Sequence, residues 1–221
     1  MISFTGLIAL DEARQNTRER VHARQLVCDS DTNLDRRPTI TDIENTGGND
    51  AIDLDKENEA WITNVTVSGE VNAAVAMRLN NTANISGLTV DGADVGIDTS
   101  NHGNKVTVTN SIFNDNTGNV LDGNSGEEWT IRNSVFNGAG GHIFDVDQNE
   151  KILFADNTIN GSVGGNLFYF GRTGNKFLDG STGNVNNATF QGDLCGGNTP
   201  TGGDLVGFVD GTVLTDDPTC P

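Results

Sequence analysis

The sequence predicts an all-β fold: a solenoid of parallel strands, with three short strands per coil and about six to seven coils, preceded by an N-terminal α-helix. Three observations carry this reading. One phrase occurs twice, since Val106-Thr107-Val108-Thr109-Asn110-Ser111-Ile112-Phe113-Asn114 is answered 23 residues later by Trp129-Thr130-Ile131-Arg132-Asn133-Ser134-Val135-Phe136-Asn137. The same spacing extends beyond the doublet, because Asn64, Gly87, Asn110, Asn133 and Asp156 stand at constant intervals of 23. Composition agrees: 28 of 221 residues are glycine and only 34% are hydrophobic, which is lean for a broad core but enough for a narrow rod.

Taken in order, residues 9–27 read as a helix. Asp11 and Glu12 occupy its first turn, and Leu10, Ala13, Thr17 and Val21 form a narrow apolar seam. Such a helix has two readings, a cap over the open end of the solenoid and an arm for oligomerisation or anchoring. A linker from Asp29 to Pro38 follows. Residues 1–37 thus form an N-terminal unit, 38–210 the solenoid and 211–221 a C-terminal tail or cap.

Each coil has the same grammar. Two residues before the marker column stand Ile62, Ile85, Val108, Ile131 and Phe154; three after it stand Val67, Val90, Phe113, Phe136 and Ile159. Alternation in Trp129-Thr130-Ile131 and again in Ser134-Val135-Phe136 marks two strands, and His142–Val146 supplies the third. Asn, Asp or Gly at the marker suits a bend that needs a left-handed residue, and asparagines stacked at about 4.8 Å can hydrogen-bond along the axis. Ile40 and Asp42 suggest an earlier coil, although Asn45 falls where an apolar residue is expected. Val185, Asn187 and Phe190 repeat the pattern after a gap of 31, implying an insertion of about eight residues before them. Phe168, Phe170 and Phe177, with Tyr169, read as core and end-capping, the alternative being a sugar-stacking platform.

This pattern resembles the right-handed parallel β-helix of the pectate-lyase-like superfamily, with its asparagine ladder and two-residue bend. The resemblance covers about residues 38–210, and six to seven coils at that rise make a rod about 30 Å long. The resemblance also implies that a site, if present, lies on the sheet made by the third strand of each coil.

Charge narrows the function classes. The chain carries 31 acidic and 13 basic residues, a net charge of −18, and only four of the basic residues are lysines. Repulsion at this density is screened at molar salt, and the composition is similar to that of proteins from extreme halophiles; an ordinary acidic β protein is the plainer reading. Nucleic-acid binding is disfavoured. Residues 1–37 are neutral, with six acids and six arginines, so the rest of the chain carries the whole excess. Phe4–Leu10 is too short for a secretory signal, and no run reaches the roughly 20 apolar residues of a membrane span. Cys28, Cys195 and Cys220 lack metal-type spacing; Cys195 and Cys220 bracket a segment that a disulfide would close, and buried free thiols are the alternative.

The chemical candidates lie on the third strand. Aligning Met77, Ile97, Leu121, Phe144 and Phe168 as inward residues places Arg78, Asp98, Asp122, Asp145 and Tyr169 side by side on the outside. Three carboxylates at strand spacing raise one another's pKa and suit a hard cation such as Ca²⁺ at Asp98, Asp122 and Asp145, with a solvated acidic surface as the plain reading. Neither Asn101-His102-Gly103-Asn104-Lys105 nor Gly141-His142 reproduces the catalytic set of the polygalacturonase-like enzymes. The expectation is therefore a non-enzymatic virion protein of a haloarchaeal virus, a spike, turret or tail fibre resembling the β-helical tailspikes. It would be a homotrimer at the virion surface, docked to other virion or surface-layer proteins through residues 1–37 and meeting a host glycan or receptor. The alternatives are an extracellular or cell-surface glycan-binding module, and a polysaccharide lyase or hydrolase using Asp98, Asp122, Asp145 and Arg78. No organic cofactor is implied.

Overall fold

The structure, a computed structural model, describes residues 49–193, 195–198 and 200, together with the backbone of strands Leu26–Cys28, Thr39–Thr41 and Glu44–Asn45. Most of the expected N-terminal helix, with its Leu10, Ala13, Thr17 and Val21 seam, and the tail at 211–221 lie outside the described residues. Leu26–Cys28, whose first two residues fall at the end of the expected helix, is a strand paired in parallel with Ile52–Leu54.

Alternation of apolar and polar residues makes each segment a strand with one buried face, and a parallel partner one coil away satisfies its backbone. About six turns of a parallel solenoid result. Among the described residues three sheets run along it, an eight-stranded first sheet and seven-stranded second and third sheets, and each coil visits them in turn. The coil around the doublet runs through first-sheet strand Leu121–Ser125, second-sheet strand Glu128–Arg132 and third-sheet strand Val135–Ala139. Val106 pairs with Trp129, and Phe113 with Phe136, as the 23-residue offset requires. The earlier coil is present too, with Ile40 opposite Ile62 and Asn45 opposite Val67.

The bend column adopts the expected conformation. Asn64, Asn110, Asn133 and Asp156 have φ between 52° and 57°, and Gly87 has φ 70°. Amide-to-amide hydrogen bonds run along other columns. On the outer face of the third sheet, Asn137 donates to Asn114, Asn160 to Asn137 and Asn187 to Asn160, at 2.8, 2.8 and 3.0 Å. Inside, at the corner between the second and third sheets, the backbone N–H of Ser111, Ser134 and Asn157 donates to the side chain of Ser134, Asn157 and Asn184 respectively.

The last coil corrects the sequence alignment. Gly183, with φ 78°, sits over Asp156 in the bend column, so the bend-to-bend interval there is 27 residues. Asn187 instead faces Asn160 on the third sheet. Extra residues lie in the turns between Phe170 and Val185, where second-sheet strand Lys176–Phe177 is short.

Stacking fills the interior with like on like. Phe113 and Phe136 lie parallel, 5.2 Å between centroids, and Phe136 stacks on Phe154 at 5.8 Å. Trp129 meets Phe144 edge-on at 4.8 Å, and Phe168, Phe170 and Phe177 are buried together toward the C-terminal coils. Cys195, on the last first-sheet strand, is disulfide-bonded; the side chains of the other two cysteines lie outside the described residues.

Candidate functional site

The first sheet turns its polar side outward, and parallel pairing puts equivalent residues of successive coils next to one another. Asp98 pairs with Asp122, Asp122 with Asp145 and Asp145 with Tyr169, so these four expected neighbours do form one outward row. Arg78 does not belong to it. Asp98 pairs with Ala76, and Thr99 with Met77, which shifts Arg78 two residues along the strand from the expected alignment. Its guanidinium instead makes a two-pronged contact with Asp53, Nε to Oδ1 at 3.3 Å and Nη2 to Oδ2 at 3.1 Å, and approaches Asp55 at 3.9 Å. That fork, above all the Asp53 hydrogen bonds, raises the arginine pKa further.

The row is half-buried, and burial is the first cause of its electrostatics. Asp98 is pushed up to about 6 by desolvation, then by the charges of Asp122 and Asp50, with Arg78 opposing. Asp122 also rises to about 6 by desolvation, despite the amide of Asn119, with Asp145 and Asp147 adding to the rise. Asp145 is raised for the same leading reason. Charged carboxylates lose hydration here faster than their neighbours replace it.

Asn119, which the sequence reading left out, and His142, which it did not place on the row, organise it. Asn119 Nδ2 lies 3.2 Å from both Asp122 Oδ2 and Asp145 Oδ2 and donates toward the pair, while its Oδ1 accepts from the His142 backbone N–H at 2.8 Å. His142 Nδ1 accepts from the Asn166 backbone N–H at 2.8 Å, which leaves the ring proton on Nε2. The imidazole lies flat on Tyr169, 4.8 Å between centroids and 12° between planes, and burial lowers its pKa. A signal for this group exists in the sequence, the spacing of 23 between Asn119 and His142, but it crosses a turn that periodicity alone does not orient.

Chemically, the row is a line of carboxylates with a neutral imidazole and a phenol ring at one end. It can accept hydrogen bonds from hydroxyl groups and attract cations. Among the described residues no three His, Cys, Asp or Glu side chains converge into a metal-holding group. Two open hollows, of about 430 Å³ around Asp115, Gly138 and Gln191 and about 360 Å³ around Glu70, Asp94 and Thr117, lie away from the Asp98–Asp122–Asp145 row. No helix among the described residues is long and apolar enough to cross a membrane.

A second acidic feature lies inside, at the corner between the first and second sheets. The column Asn58, Asn81, Asn104, Glu127, Glu150 advances by 23 and continues at Asn175. Asn81, Asn104, Glu127, Glu150 and Asn175 are each at most 1% exposed. The Asn58 N–H donates to Asn81 Oδ1, the Asn81 N–H to Asn104 Oδ1 and the Glu150 N–H to Asn175 Oδ1, each at 2.9 Å.

Comparison of the chain with known protein families, curated proteins and solved structures found no match.

Proposed function

We propose that this chain is a structural, non-catalytic protein: the stiff acidic shaft of a surface assembly such as a virion spike, turret or tail fibre. We read the coil as right-handed, the hand that twisted parallel strands favour. Residues 1–37, neutral in a chain of net charge −18, would dock the shaft to its particle as a homotrimer, and the outer face of the first sheet would meet a hydroxyl-rich partner such as a host glycan. The observation that carries the reading is the diversion of Arg78. Paired with Asp53 and Asp55, it stands two residues along the strand from the Asp98–Asp122–Asp145 row, and Arg172 is engaged by Asp147 at 3.2 Å, so among the described residues neither arginine pairs with a carboxylate of the row. Continuous hydrogen-bonded columns support it as well, because they stiffen a rod without shaping a cleft.

Depolymerisation of acidic polysaccharides, with and without Ca²⁺, is the direct test. No turnover is expected from the wild type; turnover that vanishes in the Asp98→Asn, Asp122→Asn, Asp145→Asn triple variant would establish the lyase or hydrolase reading instead. Light scattering at molar salt is expected to report an oligomer that dissociates when residues 1–27 are removed. A monomer in both cases counts against the docking role.

A further inference from the structure

The interior column at the first corner is built for side-chain amides. An asparagine presents an oxygen to the N–H of the coil before it and an NH₂ group to a nearby carbonyl, so each rung is both acceptor and donor. Asn104 does both, accepting from the Asn81 N–H at 2.9 Å and donating to Arg78 O at 3.1 Å. At the next two rungs the amides are replaced by carboxyl groups, and a carboxylate has no proton to give. Glu127 is provided for: Oε1 accepts from Asn104 Nδ2 at 3.3 Å and Oε2 from the Asn124 N–H at 2.8 Å. Glu150 is not. It is completely buried, and neither of its oxygens has a donor in hydrogen-bond geometry.

Space leaves little room for another ligand. A Cβ on Gly123 would fall 2.7 and 2.8 Å from the two Glu150 oxygens, so this rung is open only because residue 123 has no side chain. The indole Nε1 of Trp129 is also buried without a partner in strict geometry, yet it acts on Glu150 in favour of the ionised form. The charged neighbours that act on Glu150 are acids: Glu127 in the preceding coil and Asp147 on strand Phe144–Gln148. On the second sheet, Glu128 pairs outside with Lys105 at 3.3 Å, and Lys151 and Lys176 are exposed. Asn104, Asn124 and Thr99 face Glu127 with uncharged groups.

We propose that Glu127 and Glu150 form an internal proton-binding site, in which a neutral Glu150 donates its carboxyl proton to the Glu127 carboxylate and so completes the column between their coils. The proton stands where an asparagine would place an amide hydrogen. Its departure to solvent leaves two carboxylates facing each other in the core, with no cation among the described residues acting on Glu150 to offset them. Burial first, and then the Glu127 charge, push Glu150 up to about 10. Its folded value is above the unfolded one, so the stabilisation is complete below the unfolded carboxyl range and is lost as pH rises toward about 10. The joint between these coils is thus an alkali-sensitive point in a shaft whose other described rungs are amide-linked. This inference does not rest on the proposed function.

Equilibrium unfolding of the full chain between pH 7 and 9 tests it, comparing wild type with Glu150→Gln. The variant restores an amide donor. In the wild type the folding constant is expected to fall about tenfold per pH unit more steeply than in E150Q, and unfolding at pH 7.5 to release about one proton more. Parallel pH profiles, or equal proton release, overturn the proposal. An infrared spectrum of the wild type at pH 8 decides independently of any variant. A neutral-carboxyl band that disappears on unfolding supports the shared proton, and absence of the band from the folded protein refutes it.

Discussion

Replacing Asn104 by alanine and, separately, Asn137 by alanine removes the same side chain from two stacked columns, and the two effects should differ severalfold. Asn104 is buried and serves as acceptor for the Asn81 N–H and donor to Arg78 O and Glu127 Oε1. Its loss orphans one buried backbone N–H, at about 1–3 kcal/mol, and removes a hydrogen bond to a buried carboxylate, worth about 1.5–3 kcal/mol. With partial relaxation, about 3–5 kcal/mol is expected. Asn137 exchanges hydrogen bonds of 2.8 Å with Asn114 and Asn160, but on the half-exposed outer face, where water replaces the missing partner. About 0.5–1 kcal/mol is expected there. Urea unfolding at pH 7 measures both, with an unchanged m value as the check that the whole stack still unfolds together. Equal losses, or a larger loss at Asn137, would show that burial of the column is not what gives it weight.

Four further outcomes follow from other features. Phe136→Ala, removing the ring stacked between Phe113 and Phe154, should cost about 3–5 kcal/mol in the same assay; a loss under about 1 kcal/mol would mean the coils close over the gap. Asn133 has φ 52°, so Asn133→Ala should cost about 1 kcal/mol and Asn133→Gly only a few tenths, and the reverse order would refute the left-handed bend. Asp98, raised to about 6 in the folded state from 3.8, gives stability that is complete below the lower value and lost as pH rises through the upper. Asp98→Asn should therefore exceed the wild type in stability at pH 7.5 and lose that advantage by pH 4. Finally, a chain of net charge −18 should gain stability steeply from dilute buffer to molar NaCl or KCl, by circular dichroism, and a flat response would refute the halophile reading.

The period was legible because it is local arithmetic. Where consecutive coils have equal length, counting by 23 places every bend residue from Asn64 to Asp156, and it makes Asp122 and Asp145 outward neighbours. It fails where turn lengths change. Intervals on the first sheet are 22 from Met77 to its partner Thr99 and 24 from Thr99 to Gly123, and the alignment that put Arg78 beside Asp98 set Met77 only 20 residues before Ile97, two short of the true interval. The same failure placed Asn187, rather than Gly183, over Asp156.

Sequence by itself determined the repeat, the parallel three-strand coil and the left-handed bends, because strand alternation and backbone sterics depend on a few neighbouring residues. Only the tertiary structure decided which charges meet. It gave Arg78 to Asp53, set His142 on Tyr169, and buried Glu127 and Glu150 on adjacent rungs of the interior column. Those pairings depend on turn lengths between coils and on which side of a corner a side chain enters, and both are fixed by backbone hydrogen bonds to chain one turn away.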